Sequence, residues 1–71
     1  MIKTVYMNIK KEMDKKGVSA YQLSKETGIN QGIISRWKNG IQSPNVSNLI
    51  KLANYFDCGV EELTKGVSLD R

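Results

Sequence analysis

Apolar residues recur along the chain at spacings of three and four, and the breaks between these runs carry helix-ending and helix-starting chemistry. The pattern predicts an all-α fold of five short helices. In the first, Tyr6, Ile9 and Met13 share one face, while Lys10, Lys11, Asp14 and Lys15 fall elsewhere. Gly17 stops it. Val18, Ser19, Gln22 and Leu23 then make a full start signal: Ser19 as N-cap, Gln22 closing a capping box, and Val18 stapled to Leu23. The second helix is about two turns long and ends at Gly28, which suits the left-handed position of a sharp turn. Asn30 caps the third helix, with Ile29 positioned to staple to Ile34, and that helix runs to about Lys38. Asn39 and Gly40 end it. Ile41, Gln42, Ser43 and Pro44 read as a surface loop, after which Asn45 caps a fourth helix. Val46, Leu49, Ile50, Leu52, Ala53 and Phe56 give that helix a broad apolar face and mark it as the central packing element. A last short helix carries Val60 and Leu63. The domain is expected to occupy residues 1–65, with 66–71 as a flexible tail that has little to bury.

Size and composition narrow the picture. A chain of 71 residues and 8.0 kDa has room for one small domain, burying only about 60% of the surface its unfolded form exposes. With 39% hydrophobic and 25% charged residues it reads as a globular chain. No apolar run approaches the roughly 20 residues needed to cross a bilayer. The opening MIKTVYMNIKKEM lacks the apolar stretch and cleavage site of a secretory signal, so a cytoplasmic location is expected. Cys58 is the only cysteine and there is no histidine. These counts exclude an intrachain disulfide and a multi-cysteine metal site, and they remove the usual acid–base side chain. Asp57, Glu61 and Glu62 stand in a helix-cap and first-turn context. No metal, no cofactor and no enzymatic activity is expected. The net charge of +4 is uneven: residues 1–38 hold eight basic and three acidic side chains, residues 39–71 three and four. Such a footprint fits a polyanionic partner, and equally a plain solvated surface.

Residues 19–38 carry the chemistry. Leu23, Ile29, Ile34 and Trp37 are apolar, Ser24 is small, and Gly28 sits at the turn. An inert helical hairpin uses similar parts. Here the spacing lets two helices cross steeply and leaves one side of the second uncovered. That side holds Gln31, Ser35 and Arg36, with Gly32 among them, and a helix presenting such groups fits a DNA major groove. Trp37 is in phase with Ile34 and therefore reads as core, not as a base-stacking residue. Cys58 likewise reads as a buried thiol.

The segment SAYQLSKETGINQGIISRWKNG, followed by Pro44, Asn45, LIKLANYF and GVEEL, resembles the Cro and phage-repressor type of helix-turn-helix family, also called the XRE family. The resemblance covers most of the chain. It implies a compact five-helix, lambda-repressor-like DNA-binding domain with the helix-turn-helix at helices two and three. Many such proteins are transcriptional repressors, usually dimeric on palindromic operators. The resemblance places the base-reading residues at Gln31, Gly32, Ser35 and Arg36, and phosphate contacts at Ser19, Asn39, Gln42 and Ser43. Tyr21, exposed by periodicity, adds a candidate hydroxyl contact or packs on its own helix. Gln31 suits adenine N6 and N7; Arg36 suits guanine O6 and N7 or a phosphate. Gly32 costs a helix about 1 kcal/mol relative to Ala, which either close approach to DNA or a tolerant first turn explains. Ile33 is core edge or a thymine-methyl contact.

Four positions depart from the family. Many relatives carry a glutamine at the place of Ala20, where it touches phosphate and braces the reading residue, so Gln31 is expected to be less fixed. Many pair an arginine with a glutamate where this chain has Met13 and Lys38. Loss of both suggests an apolar Met13 and a Lys38 directed to solvent or a phosphate. Asp57 replaces a helix-ending glycine, which Asp tolerates. The expected function is a regulator acting by operator occupancy, usually a repressor, that binds double-stranded DNA. Any homodimer is expected either to be built by this domain itself, with helix five and the loop before it as the candidate surface, or to form on DNA, with half-sites ~34 Å apart. The alternative is an antitoxin or other protein-interaction module of the same fold.

Overall fold

The computed structural model describes residues 4–67. The helices are α1 (Val5–Lys16), α2 (Ala20–Thr27), α3 (Gln31–Lys38), α4 (Val46–Phe56) and α5 (Val60–Thr64), with no strand among the described residues. Local chemistry sets most ends. Thr4, Ser19, Asn30 and Asn45 each accept a backbone N–H from the first turn of the helix that follows. Asp57 ends α4 in the left-handed region at φ 56°, and Cys58 N–H reaches back to the Ala53 carbonyl at 2.9 Å. One start differs from expectation. Ser19 Oγ accepts from Gln22 N–H at 3.1 Å, but the Gln22 side chain donates forward to Glu26 and does not return to the cap. An acceptor one helical turn ahead outcompetes the reciprocal arm of the box.

Val5, Ile9, Met13, Leu23, Ile29, Ile34, Trp37, Leu52, Ala53 and Leu63 form the core. Two helices share the central role expected of the fourth alone: α1 packs on α3, α4 and α5, and α4 packs on α1, α2 and α5. The inward face of α1 runs through Val5, Asn8, Ile9 and Met13, which leaves Tyr6 half-buried at its edge. The apolar face of α4 is narrower than its sequence suggests. Leu52 and Ala53 are buried and Leu49 and Phe56 pack beside them, whereas Val46 and Ile50 stay exposed, because the neighbouring helices cover only the other side. Pro44, expected on the surface, is buried and anchors the loop before α4. Val67 packs against the core edge, its N–H bonded to the Thr64 carbonyl at 3.1 Å; residues 68–71 of the expected tail lie outside the described residues. None of the helices is long and apolar enough to cross a membrane.

Two polar ties join distant parts of the chain. Asn8, the buried polar residue of the core, donates from Nδ2 to the carbonyls of Leu63 and Lys65, both at 2.9 Å. A five-residue helix such as α5 leaves most of its carbonyls without intrahelical donors, and Asn8 supplies two bonds there. The second tie is Tyr55 of α4, whose hydroxyl donates to Glu26 of α2 at 2.5 Å while Lys16 Nζ lies 5.0 Å from its ring centroid. The hydrogen bond raises the Tyr55 pKa to about 12 and lowers that of Glu26, to which Gln22 also donates.

Replacing Asn8 with Ala should destabilise the domain by about 1–3 kcal/mol in urea unfolding, because carbonyls buried against α1 lose their donor. The Tyr55–Glu26 tie should contribute below the ordinary tyrosine value of 10.0 and fade as pH rises through about 12. On the acid side it should persist above the ordinary carboxylate value of 4.5 and weaken as pH falls through the depressed Glu26 pKa. In an ultraviolet titration, Glu26→Gln should move the Tyr55 ionisation back toward 10.0.

Candidate nucleic-acid interface

The turn between α2 and α3 is held by side chains as well as backbone. Gly28 takes φ 79° and donates to the Ser24 carbonyl at 2.9 Å, ending α2 where a Cβ would be strained. Ser24 Oγ then donates to the Ile29 carbonyl at 2.5 Å, and Thr27 Oγ1 donates to the Leu23 carbonyl at 2.7 Å while accepting from Ile29 N–H at 3.3 Å. The small residue at position 24 therefore clamps the turn in addition to permitting close approach. Asn30 Oδ1 accepts from Gly32 N–H at 2.7 Å and starts α3. A Cβ on residue 32 would stand 2.9 Å from that oxygen. A larger residue at 32 would therefore have to displace the capping amide, which is the movable end of a side chain.

Within α3 the buried stripe is Ile34 and Trp37, each 2% exposed, with Ile33 at the core edge. Trp37 is core as expected, although its buried indole N–H has no partner among the described residues. The opposite side carries Gln31, Gly32, Ser35, Arg36 and Lys38, all exposed. Just beyond, Asn39 N–H donates to the Ser35 carbonyl at 3.0 Å and Ile41 N–H to the Arg36 carbonyl at 2.9 Å, folding the loop back on the helix end. Asn39, Gln42 and Ser43 are exposed on that loop, and Ser19 and Tyr21 are exposed at the start of α2. Glu26 is the one acidic residue between positions 19 and 43. It is engaged by Gln22 and Tyr55, so no carboxylate of this segment stands free beside Arg36 and Lys38.

A cavity of about 210 Å³ opens where α1, α2 and α3 meet, lined by Tyr6, Ala20, Gln31, Ile34, Ser35 and Lys38. It brings Gln31, Ser35 and Lys38 to one depression, and Arg36 is not part of its lining. The methyl of Ala20 leaves this space where a longer side chain could reach Gln31. The hydrogen bonds of α2 and α3 run elsewhere, from Gln22 to Glu26, Gly32 to Asn30 and Asn39 to Ser35, and none holds Gln31. Tyr6 belongs to this surface too. Sequence periodicity assigned it to the core face of α1, whereas in the structure it is half-buried and lines this cavity. Met13 is buried at 3% exposure and Lys38 is exposed, so the pair that replaces the charged partners has separated into core and surface.

Cys58 is half-buried in a groove beside Glu12 and Glu62, and burial foremost, then these carboxylates, pushes its thiol pKa up. It is a poor nucleophile at neutral pH. Among the described residues no group of three or more His, Cys, Asp or Glu side chains is placed to hold a metal ion.

Comparison with known proteins agrees with this geometry. A model of the helix-turn-helix family matches residues 9–63, which spans α2, the turn, α3 and the packing helices around them. No curated protein and no solved structure matches the chain. The matched family is a DNA-binding regulatory one and not an enzymatic one. With five helices, a clamped turn at Gly28 and a match over more than half its length, the chain belongs to the XRE, or Cro and phage-repressor, family of helix-turn-helix proteins, and is a DNA-binding transcription regulator of that type.

Proposed function

We propose that the chain reads a specific double-stranded DNA sequence by laying α3 in the major groove, and that it represses transcription by occupying a palindromic operator as a homodimer. One observation carries the reading. The eight-residue helix α3 commits Ile34 and Trp37 to the core and presents Gln31, Gly32, Ser35 and Arg36 together on its free side. Gln31 is the adenine reader in this scheme, since one amide can donate to N7 and accept from N6 of the same base edge. Arg36 reads guanine or grips a phosphate through its planar fork. Ser19, Tyr21, Lys38, Asn39, Gln42 and Ser43 flank the helix at its two ends and set its register through phosphates. The protein acts in the cytoplasm, where such DNA is accessible, and needs no cofactor to bind.

Selection of bound duplexes from a random pool tests the proposal. Wild type should return a motif. Gln31→Ala should lose about 1–3 kcal/mol of discrimination at one adenine position, with stability changed by less than about 0.5 kcal/mol. Lys38→Ala should instead weaken binding to all sequences alike and lower the log-log salt slope by about 0.9. Recovery of no motif by the wild type, or an affinity indifferent to salt, overturns the groove-docking reading.

A further inference from the structure

Tyr6 of α1 lines the cavity where α1, α2 and α3 meet, together with Gln31, Ser35 and Lys38 of α3. Val5, Asn8 and Ile9 around it on α1 are buried, so the core holds its backbone in place. The ring is half-buried and packs against the core edge. A phenylalanine would pack there as well, and the hydroxyl calls for its own reason. A half-buried phenol ordinarily finds a hydrogen-bond partner, as Tyr55 does in Glu26. The Tyr6 hydroxyl has none among the described residues. We infer that Tyr6 is the positioning residue for Gln31: across the cavity, its hydroxyl holds the Gln31 amide in the orientation that reads a base.

The bonding capacity of the amide leaves room for this partner. A glutamine carboxamide has two N–H donors and an oxygen with two lone pairs. A bidentate adenine contact uses one of each, with Nε2 donating to N7 and Oε1 accepting from N6. One N–H and one lone pair therefore stay open on the protein side, and a phenol hydroxyl can accept from the first or donate to the second. The cavity, at about 210 Å³, also has room for a water to bridge them. The other lining groups serve less well. The side chains of Ala20 and Ile34 offer only carbon, and Ser35 Oγ already accepts from Asn39 Nδ2 at 3.5 Å. Lys38 is exposed, about two turns further along α3, and its long chain has far more rotamer freedom to lose. Tyrosine has only two side-chain torsions, so it is ordered at little cost. The contact forms as the amide settles on its base, since no hydrogen bond among the described residues joins Tyr6 to Gln31 beforehand. This role rests on the assignment of Gln31 as a base reader above.

Tyr6→Phe removes the oxygen and keeps the ring, which makes it the variant of choice in the full chain. On duplexes carrying the selected motif, its preference for adenine over the other bases at the position Gln31 reads should fall by about 3- to 10-fold. The thermal midpoint, the salt slope and the preferences at the remaining positions should stay as in wild type. In a Gln31→Ala background the same substitution should cost no further discrimination. Weakening of all sequences alike, with or without Gln31, is the mark of a merely structural Tyr6 and overturns the inference, as does a Tyr6→Phe variant that discriminates like wild type. Nuclear magnetic resonance tests the contact apart from the motif. In nitrogen-labelled protein saturated with duplex, the Gln31 side-chain N–H resonances should shift between wild type and Tyr6→Phe and exchange faster with water in the variant. If wild type selects no motif, the base-reading assignment fails and this comparison alone decides the contact. Resonances and exchange rates that are the same in the two proteins overturn it.

Discussion

Ile34 and Trp37 are the two side chains by which α3 is held to the body of the protein, each almost wholly out of solvent. A helix of eight residues has no stability of its own in water, so its position is set by that contact and by its two ends. At the N-terminal end, Ser24 and Thr27 hold the turn through Ile29, and Asn30 caps the first turn. At the other end the loop bonds back to Arg36 and buried Pro44 pins it. Once these points are fixed, the polar side of α3 has one direction in which to face. The orientation of Gln31, Ser35 and Arg36 follows from the core, before any property of those residues is considered.

The body that holds α3 is small, and it is completed by polar ties as much as by apolar burial. Asn8 serves α5, whose N-cap Gly59 offers no side-chain bond and whose Leu63 and Lys65 carbonyls it supplies with a donor. Tyr55 gathers the C-terminal ends of α1 and α2 through Lys16 and Glu26. The one carboxylate of the helix-turn-helix segment, Glu26, is engaged by Gln22 and Tyr55 and does not stand free beside the basic groups of α3.

Features that depend on neighbours in sequence were legible from the sequence. Ser19, Asn30 and Asn45 as caps, Gly28 at the turn and Asp57 in the left-handed region each rest on chemistry spanning a few residues, and the exposed side of α3 followed from the phase of Ile34 and Trp37. What escaped depends on tertiary placement. Asn8 sits beside Ile9 and reads as an ordinary polar position, because its acceptors are 55 and 57 residues away. Val46 and Ile50 satisfy the apolar period of α4 as well as Leu49 does, yet no helix packs on their flank. Gln22 had two possible partners, and local spacing alone did not rank them. The place of Tyr6 beside Gln31 and Ser35 depends on the packing of α1 on α3, which no local pattern encodes.

The cavity at Ala20 bears on how such a surface discriminates among bases. In the proposed docking, a glutamine already held in its reading geometry keeps most of the discrimination that its paired bonds provide. Among the described residues nothing gives Gln31 such a hold, so ordering its side chain costs about 0.5–1.5 kcal/mol on binding. That is comparable with the lower part of the ~1–3 kcal/mol range that a bidentate base contact supplies. Affinity drawn from phosphates and from the fixed axis of α3 is untouched by this cost. The expected consequence is a domain whose docking is set by the rigid fold while its base preference is relaxed, with a second copy on the same duplex restoring selectivity through the spacing of two weakly discriminating sites.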